Sequence, residues 1–159
     1  MKNLVLSLII VFGFCGISFG QDYNSAIGLR LGLTTSVTYK SFLNETAAFE
    51  IFGSFRSQSF YNSFGVNGAY LIHNEIESVD RLKWYYGGGV GIAAYSYDTD
   101  YTGNTGNIGF TLNGYLGLEY TLQDAPISFS IDWVPTYIVG GVSGFGADNG
   151  ALAVRYILN

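Results

Sequence analysis

The chain has 159 residues, a net charge of −5 and only 12% charged side chains, set against 48% hydrophobic and 17% aromatic residues. Ordinary soluble domains carry about 25% charged residues, so the composition favours a membrane over water as the solvent. The acidic balance excludes nucleic acid as a partner, because phosphate neutralisation needs clustered Lys and Arg.

Residues 1–20 have the three parts of a secretory signal: Lys2, the apolar run from Leu4 to Phe14, and the small residues Ser18 and Gly20 ahead of Gln21. Cleavage is expected after Gly20, which divides the chain into a signal peptide, 1–20, and one barrel domain, 21–159. The apolar run is shorter than the roughly 20 residues of a membrane helix. Phe14 precedes Cys15, where a lipid-attachment signal calls for a small side chain. Cys15 is the only cysteine, so the exported chain has neither disulfides nor a cysteine metal site.

No later segment carries a helical apolar stripe, and the alternation of apolar and polar residues predicts eight strands: 24–33, 36–43, 46–56, 60–72, 82–95, 107–122, 127–138 and 150–158. Their length matches the roughly 9 to 11 residues of a tilted membrane strand. The clearest is the sixth. Ile108, Phe110, Leu112, Leu116, Leu118 and Tyr120 fall on one face, and Thr111, Asn113, Glu119 and several glycines on the other. The same phase puts Ile27, Leu29, Leu31 and Leu33 on a lipid face, with Phe49, Ile51 and Phe55, then Phe64, Val66 and Tyr70. Trp84, Tyr86, Val90 and Ile92 continue it, followed by Ile127, Phe129, Ile131 and Trp133, then Leu152, Val154, Tyr156 and Leu158. Aromatics gather near strand ends, where an amphipathic ring suits the headgroup level.

The fold class read from this pattern is all-β, an eight-stranded antiparallel up-and-down transmembrane β-barrel preceded by a cleavable signal peptide. With both termini periplasmic, the turns at Asn44-Glu45 and 123–126 are periplasmic, and 97–105 and 140–150 are outward loops. The long periplasmic turn 74–81 and the short outer link after Leu33 run against the usual pattern. Alternation does not say which face is inside. A soluble barrel with its apolar face inward, as in lipocalin-like folds, is the competing architecture.

Segments 22–32 (DYNSAIGLRLG), 82–89 (LKWYYGGG), 114–120 (GYLGLEY), 126–133 (PISFSIDW) and 150–156 (GALAVRY) resemble the small outer-membrane β-barrel proteins of Gram-negative bacteria, across nearly the whole exported chain. The resemblance implies an eight-stranded barrel in the cell outer membrane, with outer-membrane lipids around it and the barrel-assembly machinery as a partner during insertion. It implies no reaction, since such barrels host adhesins, resistance factors and enzymes on one scaffold. The chain departs from the family's aromatic last residue, ending at Leu158-Asn159.

Candidate chemistry is sparse. The glycines of 87–91 have no following helix or Lys-Ser/Thr for a phosphate loop; inward Gly87, Gly89 and Gly91 are expected to make room for large neighbours such as Tyr115. His73, the only histidine, lies at a strand end by the periplasmic turn without a second His or a Cys for zinc. That end is also opposite to where a Ser-His pair acting on outer-leaflet lipid would be placed. Asp98 and Asp100 offer paired carboxylates on an outer loop, a weak start for a calcium site.

Arg30, Lys40, Glu50, Glu119, Asp132 and Arg155 all fall on inward positions a few residues above the periplasmic end. They are expected to form one self-neutralising layer, with Arg155 paired to Asp132. The functional expectation is a monomeric, non-enzymatic outer-membrane barrel without an open pore and without a cofactor, structural or surface-interacting in role. The alternatives are a lipid-modifying outer-membrane enzyme and a soluble exported barrel binding an apolar ligand.

Overall fold

The structure, a computed structural model, describes residues 23–58, 61–97, 107–139 and 144–158. The signal-peptide segment 1–20, Asp98 and Asp100 lie outside the described residues. Ten strands follow in chain order: β1 (Ser25–Gly32), β2 (Thr35–Phe42), β3 (Ala47–Gln58), β4 (Tyr61–Glu75), β5 (Leu82–Tyr97), β6 (Asn107–Thr121), β7 (Ile127–Trp133), β8 (Thr136–Val139), β9 (Gly144–Gly146) and β10 (Gly150–Ile157).

Each strand pairs antiparallel with its neighbours, β10 returns to β1, and β5 pairs with β6, so the sheet closes into a ring. Ten strands make eight staves because two staves are interrupted, the seventh at Val134-Pro135 between β7 and β8 and the eighth at 147–149 between β9 and β10. Proline has no N–H to give to a ladder. The ladder is bridged instead by bonds from Gly114 N to the Pro135 carbonyl and from Val134 N to the Asn149 carbonyl, each 2.8 Å. Beyond the break β8 pairs with β6 and with β9. The expected single strand over 127–138 is therefore two, and residues 144–146, expected in an outward loop, belong to the sheet.

The other departures are at strand ends. β4 runs on to Glu75, which shortens the long turn to 76–81, with Arg81 at φ 63° closing it. Between β2 and β3 the Asn44 side-chain oxygen accepts from the backbone N–H of Thr46 (3.0 Å) and of Ala47 (2.7 Å), a local bond that lets a short polar residue fix a tight turn.

The pleat sorts the side chains with the apolar set outside. Val90, at 62% exposure, stands for a band that includes Leu29, Leu112, Ile131 and Leu152. All of the outward positions read from the alternation are exposed except Ile127, half-buried beside the turn that precedes β7. The buried residues are largely polar or charged: Arg30, Lys40, Glu50, His73, Glu119, Asp132 and Arg155 among them. An apolar-lined interior, as the soluble-barrel alternative requires, is not the arrangement adopted. Two small apolar clusters do pack inside. Phe52, Ala69, Leu71, Tyr85 and Tyr115 form one at mid-height, and Tyr23, Ala26, Phe42 and Ala48 form the other at the turn end.

Candidate functional site

The candidate site is the lumen, and its turn-side half is built from the six charges singled out in the sequence. Lys40 and Glu50 face each other across the β2–β3 register, and Glu119 lies opposite Lys83 on β5. All six are buried; Lys40 and Arg155 have no exposed surface at all. A lone charge in such a place is costly, so each must be matched.

The matching takes the form of three ion pairs. Arg30 donates both terminal nitrogens to Asp132, at 2.7 and 2.6 Å, in the fork geometry that suits a guanidinium to a carboxylate. Arg155 donates to Glu50 at 2.7 Å and to Ser130 Oγ at 2.9 Å. Lys40 donates to Glu119. The structure brings the six together, but not with the expected partners. Arg155 is opposite Ser128 while Asp132 is opposite Ala151, four residues further along β7. Asp132 is reached instead by Arg30, whose register partner on the intervening strand is the small Ala153.

Several residues outside the expected set complete the layer. Tyr85 donates to Asp132 at 2.5 Å, Thr38 donates to Glu50, and Tyr23 donates to Glu119 from just ahead of β1. Burial, followed by the nearby Glu119 charge, raises the Tyr23 phenol well above its ordinary range, so it remains a proton donor. His73 is drawn into the layer by the extension of β4. Its Nε2 lies 2.8 Å from Lys40 Nζ and 3.6 Å from Glu119, and its ring packs between Phe42 and Tyr85 at centroid distances of 4.8 and 5.0 Å. The alternation had the information for Lys83 and Tyr85, which interleave with the outward Trp84 and Tyr86. It had none for His73 once the strand was ended at 72.

Room for these large groups comes from the glycines. A Cβ on Gly117 would lie 2.6 Å from the Tyr85 ring and 2.7 Å from Asp132 Cβ. One on Gly89 would lie 3.1 Å from Tyr115 Cε2 and 2.6 Å from the Gly68 carbonyl oxygen, so this glycine does accommodate Tyr115 as the sequence led one to expect.

Above the layer the lumen changes character. A cavity of about 400 Å³ occupies the loop-side half, with Arg30, Phe52 and Tyr115 low on its walls and Asn67, Thr111, Asn113 and Thr136 higher up. Those last four are linked by bonds of 3.0 to 3.4 Å. Chemically, the lower half is a set of buried charge pairs and the upper half chiefly neutral donors and acceptors, with the Arg56 side chain also on the cavity wall. Among the described residues no three His, Cys, Asp or Glu side chains are grouped so as to hold a metal ion.

No protein-family model and no curated protein matches the chain. Solved structures do. The N-terminal β-barrel domain of Pseudomonas aeruginosa OprF is similar at a TM-score of 0.62 and 12% identity, over 84% of this chain and 97% of that one. Neisserial surface protein A (NspA) is similar at a TM-score of 0.56 and 12% identity, over 84% of this chain and 93% of that one. At this identity the likeness is one of fold: the chain is an all-β, closed eight-stranded antiparallel barrel, the architecture read from its alternation.

Proposed function

We propose that the chain is an integral outer-membrane β-barrel protein without an open pore and without enzymatic activity, with a structural or surface-interaction role. The observation that carries this reading is the inverted burial: a continuous apolar outer wall around a lumen of paired charges. In water that wall would be an exposed apolar surface far beyond the few hundred Å² a monomeric soluble protein tolerates. In a bilayer it is the required solvent-facing surface, and the β1–β10 and β5–β6 pairings close the sheet on itself, as a membrane-spanning sheet must. The lack of a pore is supported by the three ion pairs and the Tyr23 and Phe42 rings filling the turn-side lumen. Similarity of fold to a surface protein and to a barrel domain agrees with a role at the cell envelope.

Fractionation followed by detergent extraction tests the location. The protein is expected in the outer-membrane fraction, with a folded form that migrates differently from the boiled form on a gel. Recovery in the soluble periplasm would overturn the membrane reading. Planar-bilayer recording tests the closed lumen, and stable, reproducible conductance steps from purified protein would count against it.

A further inference from the structure

His73, the only histidine of the chain, is buried in the turn-side layer with its ring packed between Phe42 and Tyr85. Its backbone N–H donates to the Thr46 carbonyl at 2.7 Å, which fixes the end of β4 against the β2–β3 turn. The titratable and charged groups around it come from every packed element: Lys40 on β2, Lys83 and Tyr85 on β5, Glu119 on β6 and Tyr23 ahead of β1. Lys40 decides the protonation state. An ammonium has three donors and no acceptor, and Lys40 gives one of them to Glu119. The imidazole Nε2 that lies 2.8 Å from Lys40 Nζ must therefore accept. The ring is then neutral, with its proton on Nδ1, a buried nitrogen with no hydrogen-bond partner among the described residues.

The site is not built for the charged ring. Imidazolium donates from both nitrogens; here one N–H would face an ammonium and the other would find no acceptor. Glu119 does not offset this. Its oxygen is 3.6 Å from Nε2, farther than Lys40 at 2.8 Å, so at equal dielectric the repulsion exceeds the attraction. It also already accepts from Lys40 and Tyr23. The aromatic faces that favour a cation are taken as well: Lys40 Nζ is 5.2 Å from the Phe42 and Tyr85 centroids, and Lys83 Nζ is 5.9 Å from that of Phe42. His73 cannot take up a proton without giving up its bond to Lys40, a bond that reaches over β3 from β2 to β4.

From this geometry we infer that His73 is an acid-sensitive latch of the turn-side layer: neutral, it accepts from Lys40 across β3; protonated, it releases Lys40 and loosens the barrel. In the unfolded chain a histidine takes up its proton near about pH 6.5. Below that pH the unfolded state binds a proton that the latched barrel excludes, so stability falls as pH falls. Urea unfolding of the untagged full barrel in detergent, at about pH 7.5 and about pH 5, tests this against His73→Gln, which keeps an acceptor for Lys40 and does not titrate. Between those values the unfolding constant of the unaltered chain is expected to rise about tenfold or more beyond that of the variant, one proton allowing at most about thirtyfold. Nitrogen-15 spectra of the labelled histidine, unambiguous in a chain with one, are expected to show a neutral ring protonated on Nδ1 at neutral pH; they decide the matter alone if the variant does not fold. Equal pH dependence in the two proteins, a proton on Nε2, or a doubly protonated ring in the folded barrel at neutral pH would overturn the inference.

Discussion

Toward its turns, the lumen holds three buried ion pairs; toward its loops, it holds carboxamides and hydroxyls around a cavity of about 400 Å³. One closed sheet surrounds both, yet polar groups are kept by different means. The lower groups are dehydrated and must be matched nearly one to one, because each unmatched charge is expensive. The linked upper groups Asn67, Thr111, Asn113 and Thr136 are neutral and border open space, so a lost partner costs little. The comparison places the barrel's energetic stake in the lower half and its freedom to interact in the upper half.

The largest effect that tests this division comes from Asp132, which accepts two bonds from Arg30 and one from Tyr85. Asp132→Leu is expected to destabilise the barrel by about 3 to 5 kcal/mol, mostly by leaving Arg30 buried without its counter-charge. Adding Arg30→Leu should recover part of that loss. The corresponding cycle between Asp132 and Arg155, which share no bond, should show the weaker coupling. Urea unfolding in detergent or lipid measures both cycles. Additive losses for Asp132 and Arg30, within about 0.5 kcal/mol, would mean the lower half is not held by its pairs.

A second contrast uses two glycines at the two levels. At Gly117 a methyl group meets the Tyr85 ring, Asp132 Cβ and the Ile131 carbonyl oxygen at 2.6 to 2.7 Å, none of which can move freely. Gly117→Ala is expected to cost about 1 to 3 kcal/mol through overpacking. At Gly91 the nearest atoms are the side-chain ends of Asn67 and Thr111, which can rotate into the cavity. Gly91→Ala should therefore cost less than Gly117→Ala in the same unfolding assay, and equal costs would remove the distinction between a packed and an open level.

How much of this was legible follows from what each feature depends on. The inward phase of Glu119 depends only on its neighbours Leu118 and Tyr120, and the same local reasoning places all six charges inside. Pairing depends on the stagger between staves, a property of the closed ring. Arg155 thus looked like a neighbour of Asp132, when the register sets it opposite Ser128 and next to Glu50's carboxylate. The break at Pro135 was within reach, since proline inside a strand pattern signals an interruption. The Asn67–Thr111 contact was not, because it spans a strand and becomes visible only once Gly91 is seen between them.

The smallest expected effect is also the one that probes the upper half most directly. Asn113 donates to Asn67 and Thr111 and accepts from Thr136, three bonds in all, more than many buried groups make. If the two halves were alike, Asn113→Ala would be as damaging as breaking an ion pair. The two bonds it donates are long, however, at 3.4 and 3.2 Å, and the groups left behind face a cavity large enough for about a dozen waters, which can replace the lost partner. A loss of no more than about 1 kcal/mol is expected. A loss approaching that of Asp132→Leu in the same unfolding series would show that the strip is structural, and that neutral groups bordering a cavity hold this barrel as firmly as its buried charges.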